Sequence, residues 1–231
     1  MGMFDVFKIN GALKKHQKGD YEGAIEAYEA LYQQGIKRAI YMLPYSVLLL
    51  RKGGEENILK CKEILRAAEK AQDMNAEKRI QLHMNYAVAQ YALGEVEKAV
   101  NLLEANHRKS PCTLIYQALG FLYVELGDQE KALAYNTEAL EYDDEDSVVL
   151  DNMGQMYYRL MGDKEKAYEY FKKAYDIKNT QIDTLYFLAR YDIEKGDKEK
   201  AREKLEMALK GNFSPLNYAN REKIDALLVT I

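Results

Sequence analysis

The sequence predicts an all-α protein, an α-solenoid of about six helix–turn–helix units. Two observations carry that expectation: a glycine that returns at a nearly fixed interval, and small residues at fixed places on either side of it. Gly19, Gly53, Gly94, Gly127, Gly162 and Gly196 succeed one another at 34, 41, 33, 35 and 34 residues. Five positions beyond them stand Ala24, Ala99, Ala132, Ala167 and Ala201, with Cys61 in the equivalent place of the second unit after a longer turn. Seven positions before them stand Ala12, Ser46, Ala87, Gly120 and Ala189. In the fifth unit Gly154 precedes Gly162 by eight, which puts one extra residue near Leu160 and Met161. A self-similar period of this length marks stacked units.

The elements follow from the local text. Before the glycine, apolar residues recur at helical spacing, as in Leu119, Leu122, Tyr123 and Leu126; after it they do so again, as in Ala132, Leu133, Ala139 and Leu140. The glycine supplies a left-handed residue where the first helix stops. Asp20, Asp128, Asp163 and Asp197 follow directly and are placed to accept the free N–H groups of the second helix; Glu95 holds the same place in the third unit. Small residues on facing helices let the two backbones come close. Pro44 is expected in the first turn of its helix or at a kink, since an interior proline removes a hydrogen bond. Ser214 and Pro215 read as the start of a last helix that covers the final unit. The expected organisation is one solenoid over 1–231, with units at 5–35, 36–72, 78–111, 112–146, 147–180 and 181–213, a capping helix over 215–229, thirteen helices and no sheet.

The chemistry-bearing residues nominate no catalytic centre. A net charge of -4 argues against a generalist nucleic-acid surface. Two cysteines, Cys61 and Cys112, form no disulfide framework and point to a reducing compartment; Cys61, in a small-residue position, reads as a buried, inert thiol. His16, His83 and His107 lack metal-ligand spacing. The acidic run at 143–146 has neither the alternation nor the glycine of a calcium loop and reads as a solvated turn. The 19 tyrosines fall mostly on packing positions, without interleaved basic stripes. The expectation is therefore a non-catalytic protein with no cofactor, no metal and no nucleic-acid partner. No run of apolar residues is long enough to span a bilayer. A cytoplasmic location is expected, or a membrane-anchored one if a segment once preceded Met1-Gly2-Met3.

The turn text Gly19-Asp20-Tyr21-Glu22-Gly23-Ala24, Gly127-Asp128-Gln129-Glu130-Lys131-Ala132, Gly162-Asp163-Lys164-Glu165-Lys166-Ala167 and Gly196-Asp197-Lys198-Glu199-Lys200-Ala201 resembles the tetratricopeptide repeat. The resemblance covers roughly residues 5–213. The family's first-helix tryptophan is missing, and its closing proline survives only as Pro111. The resemblance implies a right-handed superhelix whose first helices line a concave groove. It implies groove residues at repeat positions two, five, nine, twelve and thirteen, among them Val6, Ile9 and Leu13 from the first repeat, and Ile40, Leu43, Val47 and Leu50 from the second. The third gives Met84, Val88 and Tyr91, the fourth Gln117, Phe121 and Val124, the fifth Asp151 and Gln155, and the sixth Tyr186 and Arg190. Such a groove is apolar in its first four repeats and polar in its last two, and it lacks the Lys/Asn spacing of the clamp that grips chaperone tails. The implied function is a protein-interaction scaffold that binds a protein or peptide segment, as a monomer or homodimer. The alternatives are a membrane-anchored or self-associating assembly factor and, further off, a ligand- or peptide-sensing regulator.

Overall fold

The computed structural model describes residues 3–231, so the open question about the first two residues lies outside them. Among the described residues there are thirteen α-helices and no strand. They form two compact units, divided between Leu102 and Leu103. The first holds α1 (Met3–Gln17), α2 (Tyr21–Gln33), α3 (Ala39–Lys52), α4 (Glu55–Glu69) and α5 (Ala76–Ala92), and α6 (Val96–His107) crosses the division. The second holds α7 (Thr113–Leu126), α8 (Gln129–Tyr142), α9 (Ser147–Met156), α10 (Lys164–Ile177), α11 (Ile182–Glu194), α12 (Lys198–Leu209) and α13 (Arg221–Leu228).

Each turn closes as its text dictates. The six repeat glycines all have positive φ, between 67° and 81°. At Gly127 the conformation is left-handed α, which a Cβ would disfavour. Asp20, Asp128, Asp163 and Asp197 accept the backbone N–H three residues on, at 3.0–3.2 Å. Glu95 instead pairs with Lys62 and Lys98. The small residues Ala24, Cys61, Ala99, Ala132, Ala167 and Ala201 are fully buried where the paired helices meet. Gly154 permits a close approach: a Cβ there would lie 2.6 Å from the ring of Phe171, itself stacked on Phe187 at 4.7 Å.

Four features depart from the sequence reading or refine it. The extra residue of the fifth repeat is absorbed as a π-helical turn at Tyr157–Met161, closed by Asp163 N–H donating to Tyr157 O at 3.0 Å. The helix of α3 runs through Pro44, at its sixth residue and so past the first turn. Its N-terminus is capped from a distance: Asp73 accepts from Ala39 N–H at 2.8 Å and Ile40 N–H at 3.0 Å. The acidic run is not wholly solvated, because Asp146 is buried and caps α9 through Val148 and Val149 N–H. The last helix is shorter than the expected 215–229. Ser214 and Pro215 form a turn, with Asn217 N–H donating to Ser214 O at 3.0 Å, and α13 begins only after Asn220, whose side chain accepts from Lys223 N–H.

Candidate functional site: the first-helix faces

In the unit up to Leu102, the first helices α1, α3 and α5 lie in sequence, α3 touching both α1 and α5. The ninth-position residues Leu13, Val47 and Val88 are each half-buried, as is Tyr91. Leu13 and Val88 rest partly on the core that lies between first and second helices. Val6 and Ile40 are more exposed, at 37% and 47%. Ile9, Leu43, Leu50 and Met84 are buried, so of the ten positions expected in this unit these four add core packing more than accessible surface. The face is otherwise quiet: Asn85 Nδ2 bridges α5 to α3 by donating to Ser46 Oγ at 2.8 Å.

The unit from Leu103 has a different character. Phe121 and Val124 are buried, and the polar positions are engaged with one another. Gln117 Nε2 donates to Asp146 at 2.8 Å, and Asn152 Nδ2 donates to Gln117 O at 2.9 Å, joining α7 to α9. Asp151 accepts from Gln155 at 2.7 Å and from Thr184 Oγ1 at 2.5 Å, joining α9 to α11. Asp183 then accepts from Tyr218 N–H at 3.1 Å and Ala219 N–H at 2.8 Å, with Asn217 Nδ2 at 3.4 Å, so the C-terminal segment is tied to α11 by one carboxylate. Arg159, on the π-helical turn, donates to Glu125 at 2.6 Å and Gln155 at 3.1 Å, and its guanidinium lies 4.1 Å from the centre of the Tyr218 ring. Tyr186 is buried beside Tyr218, and Arg190 is half-buried with its guanidinium over the Tyr158 ring at 5.2 Å.

Burial sets the electrostatics of this second face. It pushes the Asp151 carboxyl well above the usual carboxylate range, and the neighbouring Asp183 carboxyl adds to the rise. Asp183 is also raised by burial, against the pull of the Ala219 and Tyr218 N–H groups. Two buried carboxyls in mutual repulsion favour keeping a proton between them. On the flank of the same unit, a cleft of about 440 Å³ opens between α10, α11 and α12, lined by Tyr168, Leu188 and four lysines. Three of those lysines are already answered by carboxylates: Lys204 by Asp192, Lys200 by Asp197, and Lys172 by Asp176.

Sequence reasoning missed Asp146, Asp73 and the 217–219 segment as parts of these faces. The contacts that tie them into these faces span 29–36 residues, so no local spacing betrays those contacts, although Asp146 also caps α9 locally.

The fold and its faces define a helical-repeat protein that displays rows of side chains from successive first helices. Two stretches of the chain, residues 114–146 and 149–181, match the family model of the tetratricopeptide repeat. Solved structures share the fold. PilW, a widely conserved type IV pilus biogenesis factor, aligns over 99% of this chain and 100% of its own, with a TM-score of 0.66 and 18% identity. Pseudomonas aeruginosa pilF aligns over 98% of this chain and 97% of its own, at a TM-score of 0.59 and 16% identity. YrrB, described as a tetratricopeptide-repeat protein with an unusual peptide-binding site, aligns over 77% and 88% at 0.51 and 20%. At these identities the likeness is one of fold. No curated protein matches the chain in sequence. No described helix is long and apolar enough to cross a membrane.

Proposed function

We propose that the chain is a non-catalytic scaffold that binds a segment of a partner protein along the first-helix face of α1, α3 and α5. The observation that supports this is the run of half-buried apolar side chains Leu13, Val47 and Val88 on three successive first helices, flanked by the more exposed Val6 and Ile40. Apolar surface left open in a row, on a fold whose members generally act as binding scaffolds, fits an amphipathic or extended segment. The second unit's face is already hydrogen-bonded within itself, and it serves to hold the repeats in register.

The test is affinity capture from native lysate with the wild type beside an Ile40→Glu/Val47→Glu variant. These two positions are chosen because Val88 rests on the core. A partner held by the wild type is lost by the variant, by at least about tenfold in affinity, since two buried charges would face apolar surface. The helical melt stays nearly unchanged. If the variant unfolds, the face is core; if it keeps the partner, the contact lies elsewhere.

A further inference from the structure

Helix α1 shows two faces. Ile9 and Ala12 are buried and Asp5, Leu13 and His16 half-buried, which fixes the side turned to the protein. On the opposite side, every third or fourth residue is exposed: Phe4, Phe7, Lys8, Gly11, Lys14 and Lys15, with Lys18 just past the helix end. Phe4 and Phe7 are 77% and 80% exposed, by far the most open aromatic rings on the described chain. The stripe contains four lysines and no carboxylate, on a chain of net charge -4. Lys8 donates to the Gln34 amide oxygen at 2.6 Å and Lys15 to the Gly23 carbonyl at 3.3 Å, and both acceptors are neutral.

The sorting of charge selects the occupant. A second copy seated in parallel on the same stripe, about a two-fold axis along the helix, would set lysine against lysine, a repulsive contact, and an antiparallel copy would still set Lys8 against Lys14. A surface that offers hydrocarbon just beneath a layer of anions satisfies both components at once. Phenyl rings enter the hydrocarbon boundary, while ammoniums stay at headgroup level on long stems. Attraction of lysines to such a leaflet extends over about a Debye length, roughly 8–10 Å at physiological salt, so the whole stripe is within its reach. We infer that the Phe4/Phe7/Lys8/Lys14/Lys15/Lys18 face of α1 docks on an anionic phospholipid surface, as a reversible peripheral contact.

The inference is independent of partner binding on the first-helix faces, and the experiment keeps the two apart. The full chain is sedimented with vesicles of phosphatidylcholine and with vesicles of phosphatidylcholine plus phosphatidylserine. The wild type is expected to sediment with the second and not the first, and to be released as salt rises. Phe4→Ser/Phe7→Ser lowers the partition coefficient by at least about tenfold, through loss of ring burial. Lys8→Glu/Lys14→Glu/Lys18→Glu abolishes it. Ile40→Glu/Val47→Glu binds vesicles as the wild type does. All these positions are exposed or half-buried, and circular dichroism shows whether each variant keeps its helices. Failure of the wild type to bind phosphatidylserine vesicles overturns the inference, and so does equal binding by the folded Phe4→Ser/Phe7→Ser variant. A wild-type dimer in light scattering that this variant returns to monomer assigns the face to self-association instead. Retention of an acidic protein through the stripe without vesicle binding assigns it to that protein.

Discussion

The same substitution, glycine to alanine in the interior of a helix, should have opposite signs at Gly154 and Gly11. At Gly154 the new Cβ would sit 2.6, 2.7 and 2.9 Å from three ring carbons of Phe171. That ring is fully buried and stacked on Phe187, so it has little freedom to retreat. Overpacking of this kind costs about 1–3 kcal/mol, while alanine's helix preference returns about 1 kcal/mol. The net expectation is a loss of about 1 kcal/mol, the middle of a range of about 0–2 kcal/mol. At Gly11, in α1, nothing lies within 4 Å of the new Cβ, and only the propensity gain of about 0.5–1 kcal/mol remains. With a urea slope of about 2 kcal/mol/M, the first change lowers the midpoint by about half a molar. Repeat arrays unfold in parts, so amide exchange in α9 and α1 should accompany the melt and show the losses and gains locally. A Gly154→Ala protein as stable as the wild type would refute the close approach of α9 and α10. A destabilised Gly11→Ala protein would refute the open outer face of α1.

The two units should also answer pH in opposite senses. The raised Asp151 and Asp183 carboxyls bind more protons folded than unfolded, so the stability they confer is full below the ordinary carboxylate range and is lost as pH rises toward neutrality. Burial also pushes Glu29 and Asp73 up, but hydrogen bonds from Gln33 and Tyr45, and from Ala39 and Ile40 N–H, together with Lys60 and Lys78, leave both lowered. Their stabilisation is present above the ordinary carboxylate range and lost as pH falls below it. Exchange protection should therefore weaken at Tyr218 and Ala219 between about pH 4 and pH 7, and at Ala39 and Ile40 only under stronger acid; equal trends at both places would contradict the assignment. For the thiols, burial leaves Cys61 wholly covered and pushes it up to about 12, while Cys112 is half-buried just before α7. A thiol reagent at about pH 8 should label one cysteine of the native protein and the second only after unfolding; two rapid equivalents would show that the α4 packing is open.

What the sequence makes legible is whatever is closed within one turn or repeated every turn. Asp128 announces itself because its acceptor oxygen serves an N–H only three residues on, and Gly127 because no other residue takes that backbone conformation cheaply. The extra residue before Gly162 was countable, although its form, a π-helical turn that turns Arg159 toward Glu125 and Tyr218, was not. Asp183 shows the limit. By position it is an ordinary second residue of a first helix, and its neighbours give no hint that it holds Tyr218 and Ala219, 35 and 36 residues later. The same carboxylate explains why the last helix starts late: the backbone N–H groups of Tyr218 and Ala219 and the side-chain amide of Asn217 go to Asp183 rather than to a helix, and Asn220 then opens α13. The family's groove positions carried the same limit. Position in a repeat identifies which residues lie on the first-helix side, but whether Val47 stays half-open or Phe121 is buried is decided by the size and chemistry of the neighbouring repeat. On α1, α3 and α5 the groove positions Leu13, Val47 and Val88 are half-buried, and Val6 and Ile40 are exposed. The face of α7, α9 and α11 is closed because Asp146, Asp151 and Asp183 each reach a donor on another element, and a donor so engaged is not free for a partner.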